Sequence, residues 1–294
     1  MNYSIEPACS DCETQKEAAG LLGRIFPDYW EQTAAKNQGF PFDEISFAAR
    51  AENGRMCGHV GVMPFSVSDG AGGILRFAGI ASVAVDPDFR GHGISTALCE
   101  AAAEWAVGNG MDALPLFTGK SGVYSRHGWA EYPVHPPRKT VPPKSSAVPL
   151  RRIPAAQLSE REKARIIRFY EQSFVFPGKV LRSCDSAFHA WPRIFREPDF
   201  KFLLSDSGYA LVLDGAVTEL CTFPGAETEL LSSMGSLPFT LALPSMHPVW
   251  EELRRDGWTM MNNPDDVYHG EGVMIRPAVS SVPRNLYFPC ADKF

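Results

Sequence analysis

The sequence predicts an α/β protein of two mixed-sheet domains, and three observations carry that expectation. Strand patterns and turn residues fill residues 44–85, and a glycine-bearing loop then opens a helix at Gly93. A stretch of six prolines in residues 132–149 interrupts the chain near its middle. Beyond it, RDGW at residues 255–258 echoes RHGW at residues 126–129, as a second copy of one unit would. Two unrelated α/β halves are the alternative.

A chain of 294 residues exceeds a typical single core, which favours two domains. An apolar share of 45% and a charged share of 21% are ordinary globular values. A formal charge of −6 argues against a nucleic-acid partner and mildly favours a cationic one. The seven cysteines are odd in number and scattered, which fits reduced thiols in a cytoplasmic protein. Cys9 and Cys12 form a CxxC without the second pair a zinc site needs, so no metal is expected. No leader pattern opens the chain and no apolar run reaches the ~18 residues of a membrane span, so no membrane is expected either. A homo-oligomer is compatible with the sequence.

The elements follow in order. A strand at residues 3–6 leads into a helix at residues 12–25, then aromatic-rich segments around Tyr29, Trp30, Phe40 and Phe42. Strands at residues 44–51, 58–68 and 74–85, punctuated by Asn53-Gly54 and by residues 69–73, form an antiparallel meander. Ile94, Leu98, Ala101, Ala102 and Trp105 recur at helical spacing, and Gly108 and Gly110 close that helix. A buried strand at residues 114–118, a short helix at residues 122–127 and a strand at residues 129–132 complete the first half. The second half has strands at residues 209–213 and 217–223, a helix at 226–234, a strand at 239–243 and a helix at 248–256. The expected organisation is a domain at residues 1–140, a proline-rich linker at 141–150 and a second domain at 151–294. Aligning Trp129 with Trp258 sets Leu253 against Tyr124, and nothing in residues 217–239 matches the loop at residues 90–93.

That loop lies in VAVDPDFRGHGISTAL, residues 83–98. A helix start exposes backbone N–H groups without internal partners, and the helix dipole adds positive potential there. Gly91 and Gly93 admit a phosphate close to the backbone, and Arg90 adds charge, so an anion is the expected ligand. The third glycine of a dinucleotide loop and the GKS or GKT end of a P-loop are both missing.

With Arg90, Gly93 and Ser95 at its motif positions, the segment resembles the GNAT superfamily of acetyltransferases, whose pattern is Arg/Gln-x-x-Gly-x-Gly/Ala. Ser95 departs from the last position but is small. The resemblance covers about residues 46–132 and includes the strand VAV, the strand LPLF and a tyrosine ahead of Gly128-Trp129. It implies a GNAT acyl-CoA N-acyltransferase fold, α/β with a mixed sheet, followed by a degenerate GNAT-like domain. It further implies acetyl-CoA as co-substrate, with Val83, Ala84 and Val85 along the pantetheine arm. Arg90, Gly91, His92, Gly93, Ile94, Ser95 and Thr96 would wrap the pyrophosphate, with Gly119 and Lys120 nearby where the central strands splay. Tyr124 would be the general acid that protonates the leaving thiolate, and the N–H of Val85 would meet the oxyanion. A core aromatic is the other reading of Tyr124.

GHVGVMPFSV, FAGIASVAV and LFTGKSGVYSRHGW, with a degenerate second half, are similar to the enhanced-intracellular-survival acetyltransferases. Those end in a phenylalanine whose carboxylate serves as base, which the resemblance transfers to Phe294. Those relatives also carry a sterol-carrier-like domain for which 294 residues leave no obvious room. The implied reaction moves an acetyl group from acetyl-CoA to a primary amine of a small molecule or peptide by direct attack. A non-catalytic acyl-CoA sensor and an aminoacyl or long-chain acyltransferase are the alternatives. Asp28, Asp43, Glu44 and Glu52 read as solvated surface, and His127 as a helix cap.

Overall fold

A computed structural model describes residues 2–8, 12–27, 45–133, 137–142, 150–182, 190–234, 237–262, 271–279 and 281–288. The expectations placed on Cys9, Asp28, Tyr29, Trp30, Phe40, Phe42, Asp43, Glu44 and Phe294 lie outside these residues.

The first sheet joins β1 (Tyr3–Pro7), β2 (Ile45–Ala51), β3 (Met56–Ser68), β4 (Ile74–Val85), β5 (Ala113–Thr118) and β6 (Ala130–Tyr132). β1 to β4 form the expected antiparallel meander, and β5 runs parallel to β4. A parallel return needs a crossover, which α2 (Ile94–Gly108) supplies. Its Ile94, Leu98, Ala102 and Ala106 recur every fourth residue and are buried against Val60, Val62, Ile80, Leu114 and Leu116. On the other face α1 (Cys12–Ile25) buries Ala18, Leu21 and Leu22 against Ala48, Met56, Met63 and Ala84.

The second sheet contains β8 (Arg152–Pro154), β9 (Lys201–Leu204), β10 (Gly208–Leu213), β11 (Ala216–Thr222), β12 (Phe239–Leu241) and β13 (Thr259–Asn262). Again β11 and β12 are parallel, with α6 (Glu227–Ser232) between them in sequence. α4 (Glu160–Gln172), α5 (Trp191–Ile194) and α7 (Val249–Arg255) pack on this half.

Two further strands are exchanged. β7 (Arg138–Val141) follows the first half in sequence but inserts between β12 and β13, while β14 (Gly272–Pro277) returns to lie between β5 and β6. The resulting orders, β1-β2-β3-β4-β5-β14-β6 and β8-β9-β10-β11-β12-β7-β13, match position for position. Each sheet therefore takes its sixth strand from the other half of the sequence. This cuts across the expected division at residues 1–140, 141–150 and 151–294: the proline-rich stretch contains a strand, and residues 272–277 belong to the first sheet. The prolines flank rather than enter β7, so its N–H groups remain available to both neighbours, and Thr140 is fully buried. Helix α4, for which no element was expected, has a complete capping box between Ser159 and Glu162.

Candidate functional site

The site begins where β4 and β5 part. Their pairing includes Phe77 with Ala113 and Ile80 with Leu116, and no registered pair follows, although β4 runs on to Val85. Opposite β3 the register shifts between His59 and Gly61, and Ser82 takes a φ of 52°, a conformation uncommon without a glycine. The Asp86 N–H donates to the Cys57 carbonyl on β3 at 2.9 Å. Strand alternation then turns the backbone N–H and C=O of Val85 to the open edge that β5 has left. Ala84 instead pairs with His59 and buries its methyl under α1. Of the three residues expected along a cofactor arm, Val85 faces that edge, where its C=O accepts from Arg90 Nε at 3.4 Å, while Val83 lies beside the register shift and has no registered partner on β3.

Pro87–Phe89 forms a 3-10 turn capped by Asp86, whose Oδ1 accepts the Asp88 N–H at 3.2 Å. The buried Asp86 carboxylate also accepts from Arg24 at 3.2 Å and Arg55 at 2.5 Å. Burial pushes its pKa up, but the Asp88 N–H and the two guanidiniums outweigh this and hold it below the ordinary carboxylate value. Arg90, Gly91, His92 and Gly93 then form an exposed loop. Gly91 and Gly93 have φ of 80° and 77°, which a side chain would disfavour.

Gly93 is the N-cap of α2 and offers no side-chain cap, and the first intrahelical bond runs from Ala97 N–H to Gly93 C=O. The N–H groups of Ile94, Ser95 and Thr96 are thus the unfilled donors of a helix start, facing an open loop. The donor set suits a diphosphate better than a neutral ligand.

Beyond β5, Gly119 and Lys120 are exposed, and the Lys120 N–H donates to Thr118 Oγ1 at 2.9 Å. α3 (Ser121–Tyr124) and a 3-10 turn at Ser125–His127 follow. The Tyr124 ring meets Trp129 edge-on at 6.2 Å, and Trp129 is fixed by its indole N–H donating to the Leu114 carbonyl at 2.9 Å. Burial pushes the Tyr124 phenol up to about 12, with the nearby Cys99 and Glu271 acting in the same direction. His127 is not the expected cap, a place taken by Gly128; it is the last residue of the turn, and its Nε2 lies 3.1 Å from Thr96 Oγ1, which ties the tyrosine segment to the first turn of α2.

Two side chains at this wall went unnoticed in the sequence. Arg276 on β14 forks onto Glu100 of α2 at 2.8 and 2.9 Å, and its guanidinium lies 5.1 Å from the Trp129 ring centre. No local motif marks either residue, because their meeting depends on the strand exchange. Near the chain's end, Phe288 packs against Phe77, Phe117 and Tyr132.

The matching position in the second half is closed. β11 and β12 are registered only at Ala216 with Thr240 and Val217 with Leu241. The gap beyond is occupied by His247, whose Nε2 lies 3.3 Å from the Leu220 carbonyl, and by Tyr287, whose hydroxyl donates to Ala242 at 2.5 Å. Lys179 fills its side, donating to Tyr170 O at 2.6 Å and Ser173 Oγ at 2.9 Å. About 20 Å³ is left, room for roughly one water and not for a cofactor arm. α6 also starts on Glu227, which places a carboxylate where α2 offers bare donors. Among the described residues no group of three metal-ligating side chains converges, and no helix is long and apolar enough to cross a membrane.

Residues 16–129 match the model of the acetyltransferase (GNAT) family. A GCN5-related N-acetyltransferase from Kribbella flavida is 17% identical with a TM-score of 0.63, over 94% of this chain and 72% of its own. A probable N-acyltransferase from Enterococcus faecalis V583 is 16% identical with a TM-score of 0.66, over 95% and 73%. Eis1 from Mycobacterium abscessus is 14% identical with a TM-score of 0.61, over 94% and 74%. At these identities the likeness shows the fold, which the three share across both halves of the chain. No curated protein sequence matches.

Proposed function

We propose, from the match of residues 16–129 to the acetyltransferase (GNAT) family model, that the protein transfers an acetyl group from acetyl-CoA to a primary amine of a small molecule or peptide. The observation that carries this reading is the open splay beside Val85, with the unfilled N–H groups of Ile94, Ser95 and Thr96 at one end of it. These donors, with Arg90 and the loop Gly91-His92-Gly93, suit the pyrophosphate, and the backbone of Val83 and Val85 suits the amide-bearing arm. Gly119 and Lys120 border the same cleft from β5. The co-substrate supplies an activated thioester. The N–H of Val85 would stabilise the developing oxyanion, and Tyr124 would hand its proton to the departing sulfur.

An amine nucleophile must shed a proton, and the resemblance gives that task to the carboxylate of Phe294, six residues beyond the anchored Phe288. Six residues span up to about 20 Å. Removing residues 289–294 should abolish turnover without lowering the melting temperature, and a fully active truncated protein would exclude that base. The buried free thiols of Cys57, Cys99 and Cys221 suit the reducing cytoplasm in which we expect the protein to act.

The test of the reaction is thiol release from acetyl-CoA across a panel of diamines, polyamines and lysine-containing peptides. Amine-dependent release with a matching acetylated product supports the reading. Tight acetyl-CoA binding with no release from any amine would favour an acyl-CoA sensor instead.

A further inference from the structure

We infer that Arg276 is a positioning residue of the transfer site, lent by the C-terminal half of the sequence to hold the cofactor helix and the tyrosine wall in one arrangement. The inference rests on the proposed roles of α2 and Tyr124. Arg276 lies on β14, the strand that the second half contributes between β5 and β6. Its two Nη atoms donate to the two carboxylate oxygens of Glu100, a planar fork that fixes orientation as well as distance. Glu100 is one helical turn beyond Thr96, on the helix whose first N–H groups form the anion site, and the Arg276 guanidinium holds its carboxyl below the ordinary value. The same guanidinium lies over Trp129 at 5.1 Å, and Trp129 bears edge-on on Tyr124.

One side chain therefore touches both the helix expected to bind the cofactor and the ring that backs the expected acid. His127, bonded to Thr96, closes the same circuit from the loop after Tyr124. The fork is only partly buried, with side-chain exposures of 24% for Arg276 and 42% for Glu100, so its removal leaves no sealed charge and need not unfold the sheet. A shift of a few tenths of an ångström in α2 relative to Tyr124 would still slow a proton transfer that depends on alignment.

The experiment compares wild type, Arg276→Met, Arg276→Lys, Glu100→Gln and the double variant Arg276→Met/Glu100→Gln in the full chain. Melting temperature, acetyl-CoA dissociation constant by calorimetry, and kcat and KM with the best amine of the panel are measured for each. Arg276→Met should lower kcat about 10-fold and weaken acetyl-CoA a few-fold while leaving the amine KM near its wild-type value. Arg276→Lys keeps the charge without the fork and should recover only part of the loss. Glu100→Gln should reproduce the acetyl-CoA effect, and the double variant should add little to it, because both substitutions break one contact. Unchanged kcat and dissociation constant in Arg276→Met, or additive losses in the double variant, would overturn the inference. Tyr124→Phe is run alongside. If it is impaired and Arg276→Met is not, this inference alone fails; if it turns over normally, the site reading fails and takes the inference with it.

Discussion

At Tyr124 burial and chemistry act in the same direction. A phenol pushed up to about 12 stays protonated over the range in which an amine can lose its proton, so the proposed acid and the proposed nucleophile need not compete for one pH window. Between pH 7 and 10 the kcat profile should rise with amine deprotonation and show no alkaline decline from Tyr124; a falling limb centred below pH 10 that disappears in Tyr124→Phe would contradict the assigned shift. A second titratable feature lies far from the site, on α7. Burial, with the Glu227 carboxyl beside it, raises the Glu252 pKa to about 7. The folded state then holds a proton that the unfolded chain, with a carboxyl near its ordinary value, has released. Stability from this group is full at acid pH and is lost as pH climbs from about 4.5 through 7. Thermal melts at pH 5 and pH 8 should differ less in Glu252→Gln than in wild type. Of the residues proposed for the site, Tyr124 can be nominated from sequence because it stands in a short segment ahead of Gly128-Trp129. Arg276 cannot be, because a charged residue on a late strand carries no local sign of what it will face.

Among the elements, α2 was the most readable: a glycine start, apolar residues at helical spacing and glycines at its end define it without any tertiary information. What the sequence could not show is how closely this helix approaches the sheet. A methyl at Gly58 of β3 would come within 2.7 Å of Ile94 Cγ2 and 3.0 Å of Leu98 Cδ1, so the glycine allows the first turn to sit down beside Val85. Gly58→Val should lift that turn and weaken acetyl-CoA binding by about 10-fold or more, with a smaller loss in thermal stability, as calorimetry and a melt would report. Leu98→Ala, fully buried in the same interface, should behave oppositely. It is expected to destabilise the fold by roughly 2–5 kcal/mol in denaturant titration while the folded fraction keeps its affinity. The short strands β7 and β14 escaped notice for a different reason. A strand of four to six residues has too little pattern to announce itself, and the strands it pairs with lie in the other half of the chain.

At the scale of the molecule the duplication was visible through two tryptophans and their neighbours, and the matching strand orders support it. The exchange of sixth strands was not visible, since local sequence cannot say which of two equivalent sheets a strand will join. Its consequence is that neither half is complete alone: without residues 272–277, β5 and β6 lose the strand that joins them. A chain ending at residue 133 should therefore lack a cooperative melt and bind acetyl-CoA poorly, and co-expression with residues 134–294 should restore both; a stable, binding first half would refute this dependence. Among the described residues, the second splay is filled by His247, Tyr287 and Lys179, so the proposed chemistry falls to the cleft beside Val85. That chemistry is tested most directly by Tyr124→Phe, measured for acetyl-CoA dissociation and for kcat on the same preparation. The expected result is a kcat lowered by about 10²-fold or more with the dissociation constant unchanged. Turnover equal to wild type would contradict the assignment of Tyr124 as the acid.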